Sequence, residues 1–359
     1  MSGVRLICQR LLYGAEKRES LSSAGILCKV TDMYKNEILR MLRSSGTYVS
    51  GQDLCRELGI SRTAVWKNIR QLEEDGYEIE ASAGKGYRIT GFPDTIAEEE
   101  VASILQTERM GKKIRYFSRI DSTNQYAKRI AEEGAEDGTL IIADEQTAGK
   151  GRSGRRWVTP PGEAIAFTLL LRPPLSPDRI SMVTLVMGMA AAQAVRSLYD
   201  LPAGIKWPND VVTGGRKLCG ILTEMSAEVE KVHYIVIGVG INANICEFPE
   251  EIRQIATSLK LETGQDVNRA QVIARTMEYF ERYYTVFEKD GDLSGLMEEY
   301  NALLLNRGRG VRVLDPAGAY TGTARGINSR GELIVERDDG TESMVYAGEV
   351  SVRGIYGYV

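Results

Sequence analysis

The sequence predicts an α+β chain in three parts: an N-terminal winged helix-turn-helix, a central mixed-sheet α/β domain and a C-terminal SH3-like β-barrel. Three observations carry this expectation. Apolar residues recur at helical spacing from about residue 35 to 72, and two short strands follow. Strand-like runs then alternate with long helical patterns as far as about residue 305. From 306 onward the pattern changes to short strands parted by Gly and Asp-Gly turns. The expected domains are residues 33–92, 93–305 and 306–359. Residues 1–32 are expected to be a disordered extension, with Met33 as the natural start.

In the first part, KNEILRMLRSS places Ile38, Leu39 and Leu42 on one helical face. Ser50 reads as the N-cap of GQDLCRELG, and Gly59 as its stop. Ser61 then caps SRTAVWKNIRQLEEDG, and YEIEA and YRIT form a hairpin around SAGKG. Between residues 61 and 72 this second helix carries Arg62, Lys67 and Arg70 and no acid. A helix with a basic front half that also bears Ser, Thr and Asn suits the DNA major groove. The expected DNA-facing set is Ser61, Arg62, Thr63, Trp66, Lys67 and Arg70, with Lys85 and Arg88 of the wing on phosphates. A small interaction module with a solvated basic face is the alternative reading.

In the second part, strands are expected at Ile114–Phe117, Leu140–Ala143, Ala164–Leu171, Leu218–Glu224 and Tyr234–Asn242. The clearest helices are MVTLVMGMAAAQAVRSLY and RAQVIARTMEYFERYYTVF. The third part offers GVRVLD, YTGTARGI, GELIVER, ESMVYA and EVSVRG as strands.

Composition excludes several classes of function. A net charge of −4 over 359 residues gives no global pull toward nucleic acid, so DNA binding must rest on a local patch. The five cysteines (Cys8, Cys28, Cys55, Cys219, Cys246) are scattered without CxxC spacing, which fits a reducing cytoplasm and argues against a zinc site. One histidine, His233, leaves no two-histidine metal motif, and its alternating apolar surroundings suit a structural strand position. No run reaches the roughly 18 apolar residues of a membrane span, so no membrane partner is expected.

Two glycine-rich stretches match the G-x-G-x-x-G pattern of dinucleotide binding. Such a turn requires a helix next, because the pyrophosphate sits on that helix's N-terminus. GKGRSG at 149–154 continues as RRWVTPPGEAIAF, where Pro160 and Pro161 deny the helix. GVGINA at 238–243 runs toward Pro249. Gly149-Lys150 is followed by Gly151 and not by Ser or Thr, which excludes a Walker A loop. What remains at 147–157 is a glycine-rich loop bearing Lys150, Arg152, Arg155 and Arg156. It suits close approach to a small anion, or else a basic surface loop.

This loop, TAGKGRSGRRW, resembles that of the biotin protein ligases, which closes over biotin and its adenylate. Four further elements agree in order: Asp121-Ser122-Thr123-Asn124, the run KWPND at Lys206 to Asp210, RKLCGILTE at Arg216 to Glu224, and GVGIN at Gly238 to Asn242. The flanking winged helix and small β-barrel are similar to those of the subset that doubles as a biotin-operon repressor, so the resemblance spans residues 33–359. It implies a biotin/lipoate-ligase-like catalytic domain that uses ATP and Mg²⁺ to convert biotin to biotinyl-5′-AMP. It further implies C–N bond formation with a lysine of a biotin carboxyl carrier protein. Operator DNA binding by a homodimer formed on biotinyl-AMP is also implied.

Site roles follow by motif position. Ser122, Thr123, Asn124, Gln146 and Gly149 are expected around biotin, with Ser122, Thr123 and Gln146 on its ureido head. Lys150, Arg152 and Arg155 would hold the carboxylate and phosphates, and Lys217 the junction between them. Asn209, Asp210, Asn242 and Trp157 would face the nucleotide, with Mg²⁺ carried in on ATP and no dedicated metal site. Lys217, Arg152 and Asp210 form the expected catalytic set. Ser122 or Thr123 could also be an N-cap, Lys217 a strand-edge cation, and Asn209-Asp210 a turn. The rival functions are a lipoate ligase and a ligand-sensing transcription factor without catalysis. The family most often has Arg-Gly-Arg where this chain has Lys150-Gly151-Arg152, and lysine lacks the planar fork. Lys150→Arg is therefore expected to slow the escape of biotinyl-AMP in a release assay. Unchanged or faster escape would refute this.

Overall fold

The computed structural model describes residues 23–229, 231–315, 318–347, 351–354 and 358, which fall into two compact units. The first unit covers residues up to 95 together with 102–104. Helix α1 (Ser23–Ser45) is followed by α2 (Gly51–Leu58) and α3 (Arg62–Glu74), then by the antiparallel hairpin β1 (Glu78–Ser82) and β2 (Gly86–Gly91). The helix boundaries have the chemistry the sequence suggests. Ser50 Oγ accepts from the Asp53 N–H at 3.0 Å, and Ser61 Oγ from the Ala64 N–H at 3.2 Å. Gly59 closes α2 at φ 68°, a conformation that favours glycine.

Ile38, Leu39 and Leu42 are fully buried against Leu54, Leu58, Val65, Ile69, Leu72 and Tyr77. The expected extension at 1–32 meets the structure in two ways. Residues 1–22 lie outside the described residues, whereas the backbone from Ser23 is already helical. Extending a helix by one residue costs far less than nucleating one, so a helix fixed by its packed end readily continues past it.

The second unit comprises residues 96–101 and 105–359. A short helix α4 (Glu98–Ile104) leads into it. Its seven-stranded sheet contains β3 (Ile114–Ile120), β4 (Thr139–Gln146), β5 (Ala164–Leu171), β6 (Gly204–Lys206), β7 (Asp210–Thr213), β8 (Arg216–Ala227) and β9 (Val232–Asn242), in the order β3-β4-β5-β9-β8-β7-β6. Only β3–β4 is parallel, so the sheet is mixed as expected. The β6–β7 hairpin was not among the expected strands, because each strand is too short to show alternation. Every residue of β5 is buried, as a strand flanked by helices on both faces must be. Helix α5 (Thr123–Glu132) covers one side through Ala127 and Ala131, which pack with Ile141, Leu170 and Val236.

Helix α6 (Ile180–Tyr199) packs against α8 (Arg269–Asp290); a short α7 (Leu259–Thr263) precedes the latter and α9 (Met297–Leu303) follows it. By length and composition the segment Pro177–Tyr199 would cross a membrane, yet 72% of its apolar window is buried inside this unit. Strands β10 (Gly310–Leu314), β11 (Tyr320–Ile327), β12 (Leu333–Arg337), β13 (Glu342–Val345) and β14 (Ser351–Gly354) form a separate antiparallel, SH3-like sheet in the order β13-β12-β11-β10-β14. Its inward row includes Val311, Val313, Ala324, Leu333, Val335 and Val352. The small module is held to the central domain by Trp207, whose backbone N–H donates to Asn306 Oδ1 at 2.8 Å and whose indole N–H donates to the Gly331 carbonyl at 3.1 Å.

Candidate active site

A cavity of about 1610 Å³ in the second unit is lined by the glycine-arginine loop, the start of α5, the β6–β7 turn, β8, β9 and the C-terminal module. The loop folds back on itself. Gly151 N–H donates to the Arg155 carbonyl at 2.7 Å, and Trp157 N–H to the Gly149 carbonyl at 2.9 Å. A Cβ on Gly149 would stand 2.5 Å from the Trp157 oxygen, which explains glycine there. The next regular element is strand β5, not a helix, in keeping with the failed dinucleotide match.

Arg152 swings from this loop into the cavity, where its guanidinium donates to Asn209 Oδ1 and to the Ala347 carbonyl, each at 3.1 Å. Burial pulls this guanidinium below its ordinary pKa, opposed by the nearby Asp210 carboxylate. Asn209 is itself fixed by an N–H donated to the Ile221 carbonyl at 3.0 Å. Asp210 Oδ1 pairs with Lys217 Nζ at 2.6 Å, and Asp210 Oδ2 accepts from the Tyr358 hydroxyl at 2.6 Å. Lys217 is held by its backbone: its N–H donates to the Ile255 carbonyl at 2.7 Å, and its own carbonyl accepts from Thr257 at 2.9 Å. Backbone bonds on both sides thus fix the start of β8 where Lys217 lines the cavity, and Asn209 stands in a turn that also aims its side chain.

The other end of the cavity is polar. Ser122 is the N-cap of α5, accepting from Gln125 at 3.5 Å. Thr123 donates from both its N–H (2.9 Å) and its hydroxyl (3.0 Å) to Gln146 Oε1. Asn124 is buried and lines the same corner. Together these surfaces bring cations and a carboxylate to one end, hydroxyls and amides to the other, with apolar walls between.

A family model for the biotin/lipoate A/B protein ligase family matches residues 116–242. An HTH domain model matches 35–88, and a biotin protein ligase C-terminal domain model 308–353. The bifunctional ligase/repressor BirA of Bacillus spizizenii is 36% identical over 323 residues, covering 89% of this chain and 98% of that protein. The chain belongs to the biotin protein ligase family, in its bifunctional ligase/repressor branch. The corresponding protein of Escherichia coli is 31% identical over 313 residues, 87% of this chain and 95% of its own. The solved biotin protein ligase of Aquifex aeolicus in complex with biotin and ATP is similar at TM-score 0.60 and 29% identity, covering 68% of this chain and 99% of that one.

Within this biotin protein ligase, the cavity collects Ser122, Thr123, Asn124, Gln146, Lys150, Arg152, Arg155, Trp157, Asn209, Asp210, Lys217 and Asn242. The structure alters how several of them act. The Trp157 indole reaches from its loop to the sheet. It lies on Gly220 and Gly240, where a Cβ on Gly240 would stand 2.3 Å from the ring. Its Nε1 is buried and has no hydrogen-bond partner among the described residues. Asn242 donates its amide to the Thr257 carbonyl at 2.9 Å, so its described bond steadies the strap behind Lys217. Asn68, one of the polar residues expected to suit the groove-facing helix, is buried and donates to the Ala64 carbonyl at 2.8 Å. Of the expected DNA-facing set, Ser61, Arg62, Thr63, Trp66, Lys67, Arg70 and Lys85 are exposed, with Trp66 at 51%, whereas Arg88 is half-buried and pairs with Glu80 at 2.6 Å. His233 sits on β9 paired with Glu228 at 3.2 Å. Burial pushes the Cys219 thiol up, which makes it inert.

Among the polar residues around the cavity that carried no assignment from sequence are Thr168, Tyr358 and Lys206. Thr168 hides inside the apolar run AIAFTLLL, and Tyr358 is distant in the chain. Lys206 had a signal, as the first letter of KWPND. Its ammonium lies 3.5 Å from the Tyr358 ring centroid, and burial pushes its pKa down to about 8 from 10.5, against the pull of the Asp210 carboxylate. The folded chain therefore binds fewer protons than the unfolded chain between pH 8 and 10.5, and this group's contribution to stability rises with pH across that window. Its charge behaves oppositely, being present below pH 8 and lost above it. The KM for ATP is expected to rise as pH passes about 8, and Lys206→Arg to flatten that rise. A flat wild-type profile would remove Lys206 from phosphate binding.

Proposed function

We infer that this chain is an ATP-dependent biotin protein ligase that also acts as a biotin-responsive repressor. The observation that carries the reading is the meeting of Arg152, Asp210 and Lys217 in one cavity whose opposite end holds Ser122, Thr123 and Gln146. In the first step a biotin carboxylate oxygen attacks the α-phosphorus of ATP and pyrophosphate leaves. Two anions must approach, so Lys217 between them and Arg152 beside them lower the barrier electrostatically. In the second step the ε-nitrogen of a carrier-domain lysine attacks the acyl carbon and AMP departs. Asp210, which contacts Lys217 and Tyr358, would accept the lysine's proton, and Lys217 would screen the departing phosphate. The loop seated by Trp157 limits access of water to the acyl-adenylate.

The carboxylate of Asp210 and the amide oxygen of Asn209 are hard donors that fit Mg²⁺ arriving on ATP, and the ion would neutralise phosphate charge there. The substrates proposed are biotin, ATP and a biotin carboxyl carrier domain. Operator DNA is proposed for the exposed face of α3 and the β1–β2 wing, bound by a homodimer formed on biotinyl-AMP, since one small winged helix binds weakly alone. The proposed setting is the cytoplasm, without a membrane partner.

Incubation with ATP, Mg²⁺ and a carrier domain, with biotin compared against lipoate, tests the enzymatic half through the labelled lysine. Lipoyl transfer would favour the lipoate-ligase alternative. Absence of biotin-dependent ATP–pyrophosphate exchange would favour a sensor without catalysis. Biotin- and ATP-dependent retardation of an operator fragment tests the repressor half.

A further inference from the structure

The polar corner beside Thr123 contains a directional chain of hydrogen bonds that begins at a carboxylate. Glu224, near the end of the central stretch of β8, accepts from Lys128 Nζ at 2.5 Å and from Asn124 Nδ2 at 2.8 Å. Asn124 Nδ2 donates also to the Leu222 carbonyl at 3.2 Å. Neither partner can donate in return, so the amide has one orientation and Asn124 Oδ1 must be an acceptor. Thr168, fully buried, has a single hydroxyl proton and two oxygens in reach: Asn124 Oδ1 at 2.6 Å and Thr123 Oγ1 at 2.8 Å. The amide oxygen cannot donate, so the Thr168 proton goes to it.

Thr168 Oγ is then an acceptor toward Thr123. The Thr123 proton therefore goes to one of two protein acceptors, Thr168 Oγ1 or Gln146 Oε1, and in either case is taken up within the protein. Gln146 Oε1 is fixed as an acceptor by the Thr123 backbone N–H at 2.9 Å. Thr123 Oγ1 thus offers lone pairs to the cavity and no proton. The arrangement is tight: a Cβ on Gly238 would stand 2.3 Å from Asn124 Oδ1, so the amide has its place only because that strand residue is glycine.

We propose that Glu224 is a positioning residue that sets the hydrogen-bond polarity of the ligand-head subsite, making Thr123 an acceptor for an N–H of a cyclic urea. The proposal rests on the biotin ligase reading above and adds to it the origin of specificity. A urea ring supplies N–H donors, whereas a dithiolane supplies none, and a buried acceptor without a donor discriminates strongly. With glutamine at 224, the cation of Lys128 takes the amide oxygen and leaves an NH₂ facing Asn124. Asn124 then turns over, Thr168 donates to Thr123, and a lone pair meant for the ligand is consumed.

The full-length protein is assayed by biotin-dependent ATP–pyrophosphate exchange, with wild type, Glu224→Gln, Thr168→Val and the double variant. Thr168→Val keeps shape and cuts the relay behind the ligand. Glu224→Gln is expected to raise the KM for biotin about tenfold, with the KM for ATP and kcat within about twofold, whereas Thr168→Val, which leaves nothing at 168 to donate to Thr123, is expected to keep the biotin KM within about threefold. The double variant is expected to return toward the biotin KM of Thr168→Val, because the hydroxyl through which residue 224 reaches Thr123 is gone. The advantage of biotin over lipoate should shrink in parallel. An unchanged biotin KM in Glu224→Gln would overturn the proposal. So would a joint loss of kcat and both affinities with thermal stability, or additive effects in the double variant. A wild-type protein with no biotin-dependent exchange would instead overturn the ligase reading itself.

Discussion

Replacing Lys217 by methionine is expected to lower biotin-dependent ATP–pyrophosphate exchange by about 10²–10³-fold, the loss typical of removing one preorganised charge donor from a developing anion. Methionine preserves most of the stem that passes Gly220, so packing is little disturbed. The charge is what disappears. Asp210 would keep the Tyr358 hydroxyl at 2.6 Å but lose its ammonium partner, also at 2.6 Å. A half-paired carboxylate in this enclosed position costs about 1–3 kcal/mol, so thermal stability should fall too. Adding Asp210→Asn separates the two effects: the double variant should recover the melting temperature and not the exchange rate. Exchange within about threefold of wild type in Lys217→Met would remove the residue from the chemistry.

Gly240→Val is expected to shorten the lifetime of bound biotinyl-AMP by about 10²-fold, on the scale by which small misplacements degrade a positioned site. The new Cβ would stand 2.3 Å from both Cε2 and Nε1 of Trp157, which is impossible without expelling the indole. Trp157 anchors the end of the loop that carries Arg152, through its N–H on the Gly149 carbonyl and its ring on the sheet floor. Once the ring is displaced, the loop loses that seat. The readout is release of biotinyl-AMP against single-turnover transfer to a carrier domain. Adding Trp157→Ala returns the missing space, so stability should recover while retention does not. Normal retention in Gly240→Val would show that the indole does not anchor the loop.

These two residues differ in how visible they were beforehand. Lys217 stood out because Gly214-Gly215 forms a tight turn just before it and a buried strand follows. Gly240 stood out for a misleading reason, as part of a GxGxxG match. Its actual function, a bare patch of β9 under an indole from residue 157, depends on a contact across more than eighty residues. For Asn242 and Asn68 the sequence left a related point open. An amide's chemistry is legible in a sequence, but its direction is not, and in both cases a nearby backbone carbonyl claims it. Thr168 and Tyr358 could not have been picked out, since one is submerged in an apolar strand and the other touches Asp210 from the far end of the chain.

By itself the sequence determined the periodic elements, the capping serines at 50 and 61, the three-part order and the motif set that identifies the family. These depend on local spacing, which a linear text preserves. Only the tertiary structure decided what the residues do to one another: that Asp210 is held at both oxygens, that Trp157 rests on two glycines, and that Glu224 orients a relay ending at Thr123. Hydrogen-bond direction and close contact are properties of atoms brought together across the sheet, and no periodicity in the chain encodes them.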